Sequence, residues 1–191
     1  MGENHIAGVG GSYMQLSNQA RRHIAVNAAI ASTQVLIYQA LHDRYGFGRG
    51  RFAKIDTAVD EYSRHINHDG DRYSTYRDAM DAAGLDLRLK QDFIRWLKKS
   101  LGISGKAEHT GAEAGMEYTY TLMLYALYDV FGFRRERLRW LQHKLKFYAR
   151  LILDGEVMIP EFMKCMEIEC GQKFENLESW EKKYGELKIY G

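Results

Sequence analysis

Apolar residues return along this chain at steps of three and four, the period of an α-helix with one buried face. Phe52, Ile55, Val59, Tyr62 and Ile66 form one such stripe, and Leu138, Leu141, Leu145, Tyr148 and Ile152 form a second with the same steps. Alternating β-branched runs are scarce and Pro160 is the single proline, so the pattern predicts an all-α chain and excludes a sandwich or barrel of short, turn-punctuated strands.

The two stripes belong to a longer correspondence. Shifting the chain by 86 positions lays the 30 residues from Tyr38 over those from Leu124 with 10 identities, among them Asp43/Asp129, Gly46/Gly132, Phe47/Phe133, Arg49/Arg135, Arg51/Arg137 and Tyr62/Tyr148. Ordinary residue frequencies give about two by chance. After each stripe comes Asp-Gly, at Asp69-Gly70 and Asp154-Gly155, and then a third helix that Ser74 would cap in one copy and Pro160 would open in the other. The expected architecture is two tandem copies of a helix-turn-helix-helix unit packed as a pseudo-twofold helical bundle, because one unit cannot cover its own apolar face. A homodimer built on the same faces is the other way to cover it. The expected divisions are a flexible N-terminus at 1–16, a first helical repeat at 17–101 opened by Ser17 as N-cap, a glycine-dotted linker at 102–116 and a second repeat at 117–191.

Composition adds little to this frame and excludes some classes. With 191 residues, 46% of them hydrophobic, the chain can bury a core without staples. Cys165 and Cys170 stand five apart, which fits neither a zinc knuckle nor a redox pair, so they read as reduced thiols in a cytoplasmic setting. The start MGENHIAGVGG has no basic region leading into an apolar one and is not expected to be a secretory signal. The most apolar stretch, Ile24 to Leu41, carries Asn27, Ser32, Thr33, Gln34 and Gln39, which predicts a buried helix and no membrane.

Candidate chemistry gathers at the turns between the first two helices of each copy. Tyr45-Gly46-Phe47-Gly48 and Phe131-Gly132-Phe133-Arg134 each offer a glycine for the left-handed residue that ends a helix and a phenylalanine to fold back on it. Asp43 with Arg51, and Asp129 with Arg137, are placed to pair across the turns. Directly after come cations: Arg49, Arg51 and Lys54 after Gly48 in the first copy, and Arg134, Arg135, Arg137 and Arg139 in the second. A helix N-terminus presents unpaired N–H groups and a positive dipole end, glycine lets an anion approach the backbone, and arginine adds forked donors.

Net charge is only +2, yet Arg134 to Arg150 holds seven Arg or Lys, with Lys144, Lys146 and Arg150 completing the set, against Glu136 alone. A basic helix of this kind suits a nucleic-acid backbone or an acidic protein surface, unless the Glu-rich C-terminal region neutralises it internally. His65 and His68 with Asp69 and Asp71 have metal-like spacing, but the second copy lacks them and no metal or cofactor is expected. No nucleophile–base or carboxylate pair stands out, so no catalytic residue is assigned.

LHDRYGFGRGRFAKI, from Leu41, is similar to the helix-hairpin-helix signature, whose glycine-hydrophobic-glycine turn binds nucleic-acid backbone without reading sequence. The resemblance implies a hairpin at Gly46, Phe47 and Gly48, an apolar anchor at Ile55, and a paired arrangement that matches the repeat. The chain departs from the signature at Phe52, where the family has a small residue, and at Arg134, which replaces the second glycine in the second copy. ALHDRYGFG, from Ala40, followed by basic residues also resembles small uncharacterised proteins of bacteriophages and prophages, which implies a partner in host machinery. The expectation is therefore a non-enzymatic binding protein of phage or mobile-element type that engages nucleic acid or a nucleoprotein complex. The alternative is an inhibitor or adaptor of a host protein complex, such as a bacterial defence complex in the anti-CRISPR manner, with Tyr125, Tyr128 and Trp140 as anchors.

Overall fold

Ser17 starts the first helix as its residue type predicts: its Oγ accepts the Ala20 N–H at 3.2 Å, and α1 runs Asn18–Tyr45. The structure, a computed structural model, describes residues 17–68, 73–85, 89 and 91–189. The expected flexible segment 1–16, and Asp69, Gly70 and Asp71, lie outside the described residues. Among the described residues the chain is all-α, with no strand. After α1 come α2 (Arg49–His68), α3 (Tyr73–Ala82), α4 (Gln91–Ser100), α5 (Lys106–Asp129), α6 (Arg135–Asp154), α7 (Ile159–Cys170) and α8 (Glu175–Tyr184). Ser74 falls inside α3 rather than capping it, whereas Pro160 sits in the first turn of α7 as expected.

The segment expected as a linker, 102–116, is largely helical, because α5 begins at Lys106. Glu108, only 3% exposed, folds back to accept the Gly105 N–H at 3.0 Å, the one half of a capping box that a glycine N-cap allows. The glycines of this stretch are packing residues. A Cβ on Gly115 would stand 2.9 Å from the Val26 carbonyl oxygen, and one on Gly111 would stand 2.8 Å from Arg22 Cγ. Small residues thus let α5 lie against α1 along their length, side by side and pointing the same way.

This pair is the spine of one continuous core, in which Leu36, Ile37, Leu41, Met116, Leu122, Leu124 and Leu127 are fully buried. The two halves interlock across it: α1 packs on α6 and α7, and α5 packs on α2 and α3. Two hydrogen bonds repeat this exchange. Tyr62 Oη donates to Asp129 Oδ2 at 2.8 Å, and Tyr148 Oη donates to Asp43 Oδ2, each partner lying 86 positions from its counterpart. The fourth helices do not match in the same way, since α4 packs on α6 and α5 while α8 packs on α7. By length and composition alone α1 is long and apolar enough to cross a membrane, and 61% of its most apolar window is buried inside the protein.

Between α1 and α2 the rings of Tyr38 and Phe52 stack with centroids 4.2 Å apart, filling with aromatic volume the space where the helix-hairpin-helix signature has a small residue. Tyr38 Oη donates to Asp56 Oδ1, and Gln34 Nε2 donates to the same oxygen at 3.0 Å. Burial raises the Asp56 carboxyl above its ordinary 3.8, with the Tyr38 and Gln34 hydrogen bonds acting the other way. A raised carboxyl contributes stability that is complete below 3.8 and is lost as pH climbs through the folded-state value. Asp56→Asn, which does not titrate but still accepts from Tyr38, should therefore compare more favourably with the parent at neutral pH than in acid. Urea unfolding of both chains on either side of the acidic range checks the sign.

Candidate functional site

Each turn is built as its letters require. Gly46 (φ 59°) and Gly132 (φ 63°) adopt the left-handed conformation, and the N–H groups of Phe47 and Phe133 reach back to the carbonyls of Leu41 and Leu127. Both phenylalanines are buried, and they meet: the Phe47 and Phe133 rings lie 6.1 Å apart, and Phe47 and Phe131 5.1 Å apart. Tyr45 joins them, 5.1 Å from Phe133 and 5.6 Å from Trp140. Because α1 and α5 run in parallel, their C-terminal ends bring the two turns to one pole of the molecule around a shared aromatic cluster.

The cations beside the turns lie around this cluster, several of them over its rings. Arg44 stands 4.6 Å from the Trp140 ring centroid, Arg51 5.0 Å from Phe47, Arg137 5.4 Å from Phe133 and Arg134 4.6 Å from Tyr128. Ring contacts of this kind restrict a guanidinium before any ligand arrives. Arg44 was not selected by sequence reasoning; its place in the last turn of α1 is the signal that was available.

Two of these arginines also serve the fold. Arg51 Nη1 donates to the Tyr45 carbonyl at 3.0 Å and Arg134 Nη1 to the Tyr128 carbonyl at 3.1 Å, satisfying acceptors at the ends of α1 and α5. The Asp43–Arg51 and Asp129–Arg137 pairs expected across the turns do not form. Asp43 instead receives Tyr148, Gln39 (2.7 Å) and Lys144 (3.6 Å), and Asp129 receives Tyr62, because interhelical partners outcompete a short-range exposed pair. Lys144 is thereby held half-buried, with Phe147 and Tyr148 beside it, and Arg150 pairs with Asp154 at 3.8 Å.

Arg49, Lys54, Arg135, Arg139 and Lys146 remain exposed, and among the described residues no carboxylate pairs with them. The acidic C-terminal region does not neutralise them. Among the described residues its ion pairs go to Lys164, from Glu167 and Glu181, while Glu169 lies 2.8 Å from His42 Nε2. At the start of α2 the first turn holds no acid, and a Cβ on Gly48 or Gly50 would meet nothing within 4 Å, so the approach to the backbone is open. The start of α6 differs, since Glu136 sits in its first turn. The arrangement suits an extended anion lying across two helix starts.

The three aromatic anchor candidates are half-buried. Trp140 lies between Tyr45 and Arg44, and Tyr125 packs on Tyr62, Tyr76 and Tyr128. Sequence reasoning missed one group of reactive side chains: Cys170 Sγ lies 3.3 Å from His42 Nδ1, and His42 Nε2 lies 2.8 Å from Glu169. His42 Nδ1 is also 2.7 Å from the Phe47 carbonyl, which can only accept, so that nitrogen carries a hydrogen and cannot take the thiol's proton. Burial, with Glu169 nearby, raises the Cys170 thiol further from ionisation. The trio is a strut that holds the first turn to α7. Because Cys170 and Glu169 meet opposite nitrogens of the His42 ring, the trio cannot share one ion, and among the described residues no three His, Cys, Asp or Glu side chains are placed to hold a metal.

No protein-family model matches the chain, and neither curated proteins nor solved structures give a significant match.

Proposed function

We propose that this chain is a non-enzymatic binding protein, of the kind phages and mobile elements carry, that engages nucleic acid or a nucleoprotein complex through α6 and the two glycine turns. One observation carries the reading: two turns far apart in sequence meet at one pole, and the cations around them find rings and backbone carbonyls but almost no carboxylates. Like charges gathered at one end repel one another in the folded protein, whereas a polyphosphate releases counterions when it binds there. Phosphate contact positions a protein without reading bases, so the reading is of backbone binding. The helix-hairpin-helix resemblance at Gly46, Phe47 and Gly48 supports it.

Capture of partners by the tagged full chain from its native host, with and without nuclease, tests this reading. Loss of the complex on nuclease treatment is expected. A stable complex that survives nuclease would instead favour an inhibitor or adaptor of a host protein complex, including a defence complex.

A further inference from the structure

The outer face of α6 carries Arg139, His143, Lys146, Phe147 and Arg150, all exposed and all on one side of the helix by their spacing, opposite buried Leu138, Leu141, Leu145 and Tyr148. Phe147 is 51% exposed and lies outside the core, with Lys144 Nζ 5.0 Å from its ring centroid. Glu136 precedes the stripe and Asp154 follows it, the latter paired with Arg150; inside it there is no acid.

The chain contains its own comparison. On α2 the positions 86 earlier are Ala53, Thr57, Asp60, Glu61 and Arg64, so the equivalent outer face keeps one cation, Arg64, is otherwise neutral or acidic, and has no aromatic. Both helices bury their inner stripes, and packing therefore leaves the outer residues free to differ.

Resting on the polyanion reading above, we propose that this face of α6 takes single-stranded nucleic acid, with Arg139, Lys146 and Arg150 following the phosphates and Phe147 stacking on an unpaired base. A cationic track with an aromatic platform in its middle is the chemistry that recognises strands whose bases are free. A duplex hides the base faces and an acidic peptide has none, so neither uses Phe147. The stripe from Arg139 to Arg150 extends about 16 Å along the helix, room for only a few nucleotides, which makes one stacked base a large share of the contact.

Fluorescence anisotropy with the full chain tests this, using labelled oligothymidylate, a duplex of equal length and poly-glutamate, for the parent, Phe147→Ala and Phe147→Tyr. Phe147 is exposed, so Phe147→Ala should keep the parent's circular dichroism and melting temperature. Oligothymidylate is expected to bind more tightly than duplex, to lose at least about fivefold on Phe147→Ala, and to recover with Phe147→Tyr, while duplex binding does not move. Equal binding of strand and duplex, both indifferent to Phe147→Ala, would overturn this inference and leave the polyanion reading standing. Poly-glutamate binding as sensitive to Phe147→Ala as oligothymidylate would also overturn it, in favour of an acidic protein partner. Binding of neither nucleic acid would overturn both.

Discussion

Replacing Gly115 with leucine is expected to destabilise the protein by more than about 3 kcal/mol, beyond the usual range for overpacking. The reason is the nature of the obstacle. A first side-chain carbon at Gly115 already stands 2.9 Å from the backbone oxygen of Val26 and 3.4 Å from its Cα, and a backbone cannot rotate away as a side-chain tip can. Leucine would therefore separate α1 from α5, the two helices around which the core closes, and expose residues on both that are now fully buried. Gly115→Ala is the finer probe. Helix propensity favours alanine by about 1 kcal/mol, so a net loss of about 1–2 kcal/mol would mean that the collision outweighs it. Gly50→Ala provides the contrast, because its Cβ meets nothing within 4 Å, and should be neutral or stabilising. Urea unfolding curves of the three variants measure the difference. A stabilised Gly115→Ala would mean that the two helices are not in close contact there.

Gly115 also marks where sequence reasoning loses its grip. The stripes of α2 and α6, the glycine stops after α1 and α5, and the Ser17 cap were legible, because helical period and cap chemistry act over a few residues. Glycine spacing in 102–116 reads as linker by the same local logic, since nothing local tells a glycine that bends the chain from one that admits a neighbouring helix. That neighbour, Val26, is 89 positions away.

The candidate site shows the same division. Cations and turns were visible as runs of letters, and their convergence required knowing that α1 and α5 run in parallel. Asp43 stands eight residues before Arg51, yet it receives Tyr148 from the other half of the chain, because a buried hydroxyl loses more by going unpaired than an exposed guanidinium, which has water. His42, Glu169 and Cys170 are brought together from opposite ends of the chain, with no motif to announce them. Arg51 and Arg134 read as ligand-binding residues, and their first partners are the helix-end carbonyls that such turns leave open. Charge on a surface is easier to read from sequence than the division of that charge between fold and partner.

That division selects the residues for the sharpest test. Arg135, Arg139 and Lys146 are exposed, and among the described residues they have neither a carboxylate nor a backbone carbonyl to hold, so their removal should spare the fold. If they contact phosphates, each contributes one released counterion, and the logarithm of the binding constant falls with the logarithm of salt by about 0.7 to 0.9 per contact. The deciding measurement is the affinity of the full chain for nucleic acid across a salt series, for the parent and for Arg135→Ala/Arg139→Ala/Lys146→Ala. Affinity should fall about tenfold or more at low salt, and the salt slope should become shallower by about 2 to 3. An unchanged affinity with an unchanged slope would contradict the claim that the exposed basic face of α6, beside the two turns, is the working face of the molecule.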